Sequence, residues 1–170
     1  MSTDFNFMAG GAAGQGIQSV GIILAKAVSR GGFQVFADQN LEKGIRGGHN
    51  FFRVRISDKP VLALSEKLDI LIALNRETID LHQNEVKSDG VIIFDGEETK
   101  IEGESTNYFS VPLARLAEET AKNKLMTNTV AVGAALGLVE YDFDLLAAYH
   151  ICAGAEGRSP KITSRATDED

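Results

Sequence analysis

The amino-acid sequence predicts an α/β fold, a single three-layer α/β/α domain built on a mixed, mostly parallel sheet. Three observations predict it. A short apolar run (Phe5, Phe7, Met8) leads through a glycine-dense stretch into an amphipathic segment and then a second apolar run, the order β–loop–α–β of a crossover-connected parallel sheet. Leu68 to Leu74 and Val91 to Phe94 are nearly continuous apolar runs, as expected of strands buried on both faces. Between Asn50 and Leu64 the pattern is different: clean alternation, a turn and a short return, which adds an antiparallel component.

Each element has its own local reason. Gly10, Gly11, Gly14 and Gly16 form the loop after the first strand, and a helix from Gly16 to Arg30 follows, with Ile17, Val20, Leu24, Ala27 and Val28 at helical spacing. Lys26 and Arg30 suit its C-terminal end, and Gly31-Gly32 stops it. Phe33 to Asp38 reads as the second strand. Gln39 to His49 has no apolar period and reads as a loop. From Asn50, Phe52, Val54 and Ile56 share one face, with Arg53 and Arg55 on the other. Asp58-Lys59-Pro60 turns the chain, and Val61 to Leu64 is expected to return as the antiparallel partner.

After the strand at Leu68 to Leu74, Asn75 is placed to cap a helix over Arg76 to Lys87, ended by Ser88-Asp89-Gly90. Gly96 to Asn107 is a polar excursion, and Tyr108 to Val111 leads through Pro112 into a helix from Leu113 to Lys122. Thr127 or Asn128 caps a helix over Thr129 to Val139. Ala131, Gly133, Ala134, Ala135 and Gly137 leave one side of it nearly bare, suited to close backbone approach. Phe143, Leu145 and Leu146 suggest a further short helix. The organisation expected is one domain over residues 1–150 and a polar, flexible tail over 151–170, with no internal repeat or linker.

Composition excludes several function classes. The 170 residues are 44% hydrophobic and 24% charged, ordinary for a globular domain. A net charge of −7 argues against nucleic-acid binding. No run approaches the roughly 18 apolar residues of a membrane span, and Met1-Ser2-Thr3-Asp4 lacks the basic flank of a signal peptide. The expected location is the cytoplasm. Cys152 is the one cysteine, and it cannot alone hold an iron–sulfur cluster, which typically takes about four thiolates.

Chemistry concentrates at two places. Gly11, Gly14, Gln15 and Gly16 open a helix whose unpaired N–H groups and positive dipole end suit an anion; the same pattern also makes a tight turn with nothing bound. Arg46, Gly47, Gly48, His49 and Asn50 combine a freed backbone with a planar fork of donors, suited to phosphate or carboxylate, and equally form a turn into the next strand. Both places are expected to converge at the C-terminal edge of the sheet, where open α/β folds bind ligands. His49, His82 and His150 are dispersed without metal-ligand spacing, so no metal site is expected. No Gly-x-Ser-x-Gly elbow or other nucleophile and acid–base constellation emerges, and Glu97-Glu98 and Glu118-Glu119 read as solvated carboxylates. No catalytic residue is assigned.

Two families share parts of this pattern. Gly10, Gly14 and Gly16 fit the Gly-x-x-x-Gly-x-Gly form of short-chain dehydrogenases, and Asp38 stands where a ribose-binding acid would end the second strand. None of Tyr108, Tyr141 and Tyr149 has a lysine four residues on, so the catalytic pair of that family is missing. A wider resemblance rests on Gly10-Gly11-Ala12-Ala13-Gly14-Gln15-Gly16, on Gly44-Ile45-Arg46-Gly47-Gly48-His49-Asn50, on Arg53 to Ser57, on Leu68 to Asn75, and on Asn128, Gly133, Ala134 and Gly137. In this order they resemble the gamma domain of 2-oxoacid:ferredoxin oxidoreductases, most closely the 2-oxoglutarate type. The resemblance spans residues 5 to 146. The tail departs from it, since family members continue with amphipathic helix where residues 150–170 are polar.

That resemblance implies a component that is inactive alone. Complexes of this kind decarboxylate a 2-oxoacid such as pyruvate or 2-oxoglutarate on thiamine diphosphate, pass electrons through iron–sulfur clusters to ferredoxin, and form acyl-coenzyme A. Thiamine diphosphate and clusters are implied for partner subunits. The gamma domain is implied to contact coenzyme A and to pack against those partners.

Overall fold

The computed structural model describes residues 3–41, 48–101, 107–123 and 126–139. Six strands form one sheet in the order β2-β3-β1-β4-β5-β6, with β1 Asp4–Ala12, β2 Gln34–Asn40, β3 His49–Ser57, β4 Leu68–Ala73, β5 Val86–Phe94 and β6 Tyr108–Ser110. Helices α1 Ile17–Arg30, α2 Arg76–His82, α3 Leu113–Ala121 and α4 Thr127–Leu138 complete the described elements, with a 3-10 turn at Gln83–Glu85. β1 pairs in parallel with β4, β4 with β5, and β5 with β6. β3 runs against both β1 and β2. The sheet is therefore mixed and mostly parallel, as the patterning predicts.

The alternation of apolar residues sorts into two layers. Phe7, Ala9, Phe52, Val54, Ile56, Ile70, Ile72 and Ile93 face one side of the sheet and pack with α1, α4 and Leu113 of α3. Met8, Leu71, Ala73, Ile92 and Phe94 face the other, where Ile79 of α2 joins them. Because β4 contributes to both clusters, its residues read as an unbroken apolar run rather than an alternating one. α1 lies close on β3: at Gly21 an added Cβ would overlap the Phe52 ring.

Several expectations give way here, each for a physical reason. Gly10 and Gly11 lie inside β1, so the loop proper is Ala13 to Gly16. The crossover from β1 through α1 does reach a strand of the same direction, but β3 is inserted between β1 and β2. Val61 to Leu64 forms no strand, since both edges of β3 are already paired with β1 and β2. That segment instead crosses the sheet face, where Arg55 Nη1 donates to Ala63 O at 3.0 Å and Leu62 stands 89% exposed.

The helix after Asn75 ends at His82 rather than Lys87, and Ser88-Asp89-Gly90 lie within β5. Between the pairs Leu68↔Val86 and Ile70↔Val91 the register shifts, so these polar residues bulge out of the ladder. Lys87 Nζ meets Asp69 Oδ1 at 2.6 Å across this bulge. α4 begins after Met126, and neither Thr127 nor Asn128 caps it. Ala131, Val132, Ala135 and Leu136 bury its inner side, whereas an added Cβ at Gly133 meets nothing within 4 Å. Close backbone approach is thus not made at Gly133. Arg46, Gly47, the helix expected near Leu145 and the tail over 151–170 lie outside the described residues.

Candidate functional site

Strand β1 ends at Ala12, and the chain must reverse within four residues to lay α1 back on the sheet. Gly14 at φ 90° and Gly16 at φ 75° supply the left-handed conformations this needs. Gln15 holds the turn from inside: its N–H donates to Ala12 O at 3.1 Å and its Oε1 accepts from Ala12 N at 2.7 Å. Its Nε2 donates to Leu74 O at 3.0 Å, tying the loop to the end of β4. Gln15 is therefore occupied in shaping the loop. Gly11 leaves room for that amide, since an added Cβ would stand 2.6 Å from Gln15 Oε1.

Helix α1 starts at this loop with no side chain capping it and no acidic residue in its first turn. Its first N–H groups open on a recess of about 290 Å³ lined by Ala12, Gly14, Gly16, Gln18, Leu41 and Asn50, among others. Asn50 reaches the recess because β3 pairs Asn50 with Gly11. Leu41 and Asn50 stand on either side, in sequence, of the segment carrying Arg46. On the far side of the loop, a second recess of about 240 Å³ is lined by Gly14, Gln15, Asp95, Glu98 and Asn128, among others. Asp95 accepts from Glu97 N at 3.0 Å and from Ala114 N at 2.8 Å, which ties the first turn of α3 to the loop after β5. With Glu98 beside it, this second recess repels phosphate. The first is the anion candidate.

The structure brings Gly14, Gly16 and Asn50 to one recess and sends His49 elsewhere. Successive residues of a strand point to opposite faces, so His49 lies on the α2 side of the sheet. There His49 Nε2 meets His82 Nε2 at 2.9 Å, and His82 Nδ1 meets Glu85 Oε1 at 2.6 Å. Glu85 Oε2 pairs with Arg53 Nη2. Phe51 covers the group, with its ring edge-on to His82 at 5.5 Å and the Arg53 guanidinium 5.4 Å above it. Two of the histidines that look dispersed in sequence, His49 and His82, are in contact; His150 lies outside the described residues. Two signals pointed there: His49 shares its strand parity with Arg53, and His82 and Glu85 are spaced i,i+3. Further along the same face, Arg55 donates to both oxygens of Asp4 at 2.9 and 2.8 Å. Those hydrogen bonds hold the Asp4 carboxyl below the usual carboxylate range, against the opposing effect of partial burial.

The family model for pyruvate ferredoxin/flavodoxin oxidoreductase matches residues 6–150 of the sequence. The chain belongs to this family. Among its oxidoreductase relatives, the 2-oxoglutarate synthase subunit KorC of Methanocaldococcus jannaschii is 30% identical over 73% of this chain and 69% of its own length. The gamma subunit of a keto/oxoacid ferredoxin oxidoreductase from Geobacter sulfurreducens superposes with a TM-score of 0.74 at 27% identity, covering 94% of this chain and 87% of that one. The 2-oxoglutarate:ferredoxin oxidoreductase of Magnetococcus marinus, solved with 2-oxoglutarate, coenzyme A and succinyl-CoA bound, shares the fold. It superposes with a TM-score of 0.77 at 23% identity, over 92% of this chain and 28% of that one. The chain spans about 15% of the length of the archaeal 2-oxoacid:ferredoxin oxidoreductase alpha subunits that it also matches.

Membership in this oxidoreductase family leaves the short-chain dehydrogenase alternative without support, and the topology removes its key residue. A ribose-binding acid must end a strand adjacent to the glycine loop. Asp38 instead sits on β2, separated from β1 by all of β3 and paired in register with Arg53.

Proposed function

We propose that this domain is the gamma component of a cytoplasmic complex that oxidatively decarboxylates a 2-oxoacid, reduces ferredoxin and forms acyl-coenzyme A. Its own contribution is to hold phosphate groups of coenzyme A and to pack against the thiamine-bearing and cluster-bearing subunits. Residues 1–150 form the working domain and 151–170 lie outside it. The observation that carries this reading is the α1 N-terminus: a helix start without a side-chain cap, on a left-handed glycine loop, facing a recess that Asn50 shares. Such a site suits a polyanion, because unpaired N–H groups and the helix dipole both favour negative charge. Backbone at Gly14 and Gly16 takes one phosphate; Arg46, with Gly47 and Gly48 freeing the backbone around it, supplies a charge-assisted contact to another.

Thiamine diphosphate and iron–sulfur clusters are assigned to the partners. The chain has one cysteine, and among the described residues no group of three or more His, Cys, Asp or Glu side chains is placed to hold a metal ion. No described helix is long and apolar enough to cross a membrane.

Calorimetric titration of coenzyme A and of NAD into the assembled complex tests the reading, wild type against Arg46→Ala. Losing a hydrogen bond to a charged group costs about 1.5–3 kcal/mol, so the variant is expected to bind coenzyme A roughly ten- to a hundredfold more weakly. Equal affinity in both proteins removes Arg46 from the site. NAD binding with none for coenzyme A overturns the assignment.

A further inference from the structure

The group on the α2 face joins side chains from three elements: His49 and Arg53 of β3, His82 of α2 and Glu85 of the turn after it. All four are shielded, with side-chain exposure of 10% at His82, 20% at Arg53 and 31% at Glu85. The hydrogen-bond pattern has a limited set of proton arrangements. Glu85 as a carboxylate only accepts, so His82 Nδ1 carries the proton between them. Two nitrogens 2.9 Å apart share one hydrogen, so His49 Nε2 and His82 Nε2 cannot both be protonated. In the neutral pair His49 Nε2 donates to His82; with one proton added, either ring holds the shared hydrogen and His49 Nδ1 becomes an N–H. The pair therefore carries either no charge or a single positive one. The charged groups facing it among the described residues are Glu85 and Arg53, with Asp38 of β2 paired in register with Arg53 one strand further on.

We propose that His82 and Glu85 are positioning residues for His49, forming a relay that holds one shared proton and fixes the strand stem next to the anion-binding recess. Glu85 sets the tautomer of His82, and Arg53 pairs with the other Glu85 oxygen and holds it in place. His82 anchors His49, the residue directly before Asn50, onto α2. The His49 ring also lies against β1, since an added Cβ at Gly10 would stand 3.2 Å from its Cε1. One hydrogen bond thus holds the last residues of β1 and the first residues of β3 together where the recess opens. This goes beyond the coenzyme A assignment and rests on it only for the ligand used below.

The test has two arms. Long-range proton–nitrogen spectra of the histidine rings, recorded on the full ¹⁵N-labelled chain between about pH 5 and 8, where imidazole charge changes occur, report tautomer and proton count. Expected are an Nδ1–H tautomer for His82, uptake of one proton by the two rings together, and loss of the His82 tautomer preference in Glu85→Gln. Rings that each take up a proton of their own, or an Nε2–H tautomer at His82, overturn the relay. In the second arm coenzyme A is titrated into the assembled complex carrying wild-type or His82→Gln chains, with Glu85→Asp as the conservative variant. About a tenfold loss of affinity is expected for His82→Gln, with retention in Glu85→Asp. Equal affinity in His82→Gln and wild type overturns the positioning role. Failure of the wild type to bind coenzyme A overturns the functional assignment alone, because the ring spectra still decide the relay.

Discussion

Gly21 sits in the middle of α1, where a glycine ordinarily just weakens a helix. Its role here is spatial: the Phe52 ring of β3 occupies the position a Cβ would take, which brings the helix backbone down on the sheet. Gly21→Ala is expected to overpack that contact and to destabilise the fold by about 1–3 kcal/mol, read as a lower urea midpoint at unchanged slope. Nothing in the local sequence distinguishes this glycine, because the residue that requires it lies on another element. Gln15 shows the same limit. A glutamine between two glycines looks available to a ligand, yet its amide is taken up by Ala12 and Leu74.

Among the elements, α2 depends most on a single side chain. Asn75 Oδ1 accepts from Thr78 N at 2.9 Å and from Thr78 Oγ1 at 2.7 Å, and Thr78 is fully buried. Asn75→Ala is expected to cost about 1–2 kcal/mol, seen as a lower thermal midpoint with loosened amide-exchange protection confined to residues 76–82. This cap, the α1 periodicity and the apolar runs of β4 and β5 were legible because their signals are local. The errors came where elements compete for the same partner. Val61 to Leu64 has strand character, but β3 has no free edge to offer it. Ser88 to Gly90 has the composition of a helix stop, but the chain uses it as a bulge within β5. At the candidate site, Gly14, Gly16 and Asn50 line one recess. The displacement of His49 to the opposite face follows from strand parity, which only becomes visible once His49 is known to lie inside β3.

For the whole molecule, acid sensitivity follows from the ion pair at the Asp4 end of the β1–β3 ladder. Arg55 holds Asp4 ionised below the usual carboxylate range. A carboxyl whose folded value is depressed stabilises the protein above its unfolded value, near about 3.9, and loses that stabilisation as pH falls through the folded one. The Asp4 side chain is 40% exposed, so solvent screening limits the effect to about 0.2–1 kcal/mol. Asp4→Asn is therefore expected to lower stability at pH 7 by that amount and to match wild type once the pH has fallen through the depressed folded value, measured by denaturant melts across pH. The position of β1 has a consequence of another kind. It precedes both of its partners in the chain and lies at the centre of the sheet, flanked by β3 and β4. Its partners lie at residues 49–57 and 68–73, so its two hydrogen-bonding edges stay open while the intervening chain is made at roughly 5–20 residues per second. During that interval Phe5, Phe7 and Met8 form an apolar strand with nothing to pair with, which makes the nascent chain, rather than the finished protein, the form most in need of a chaperone.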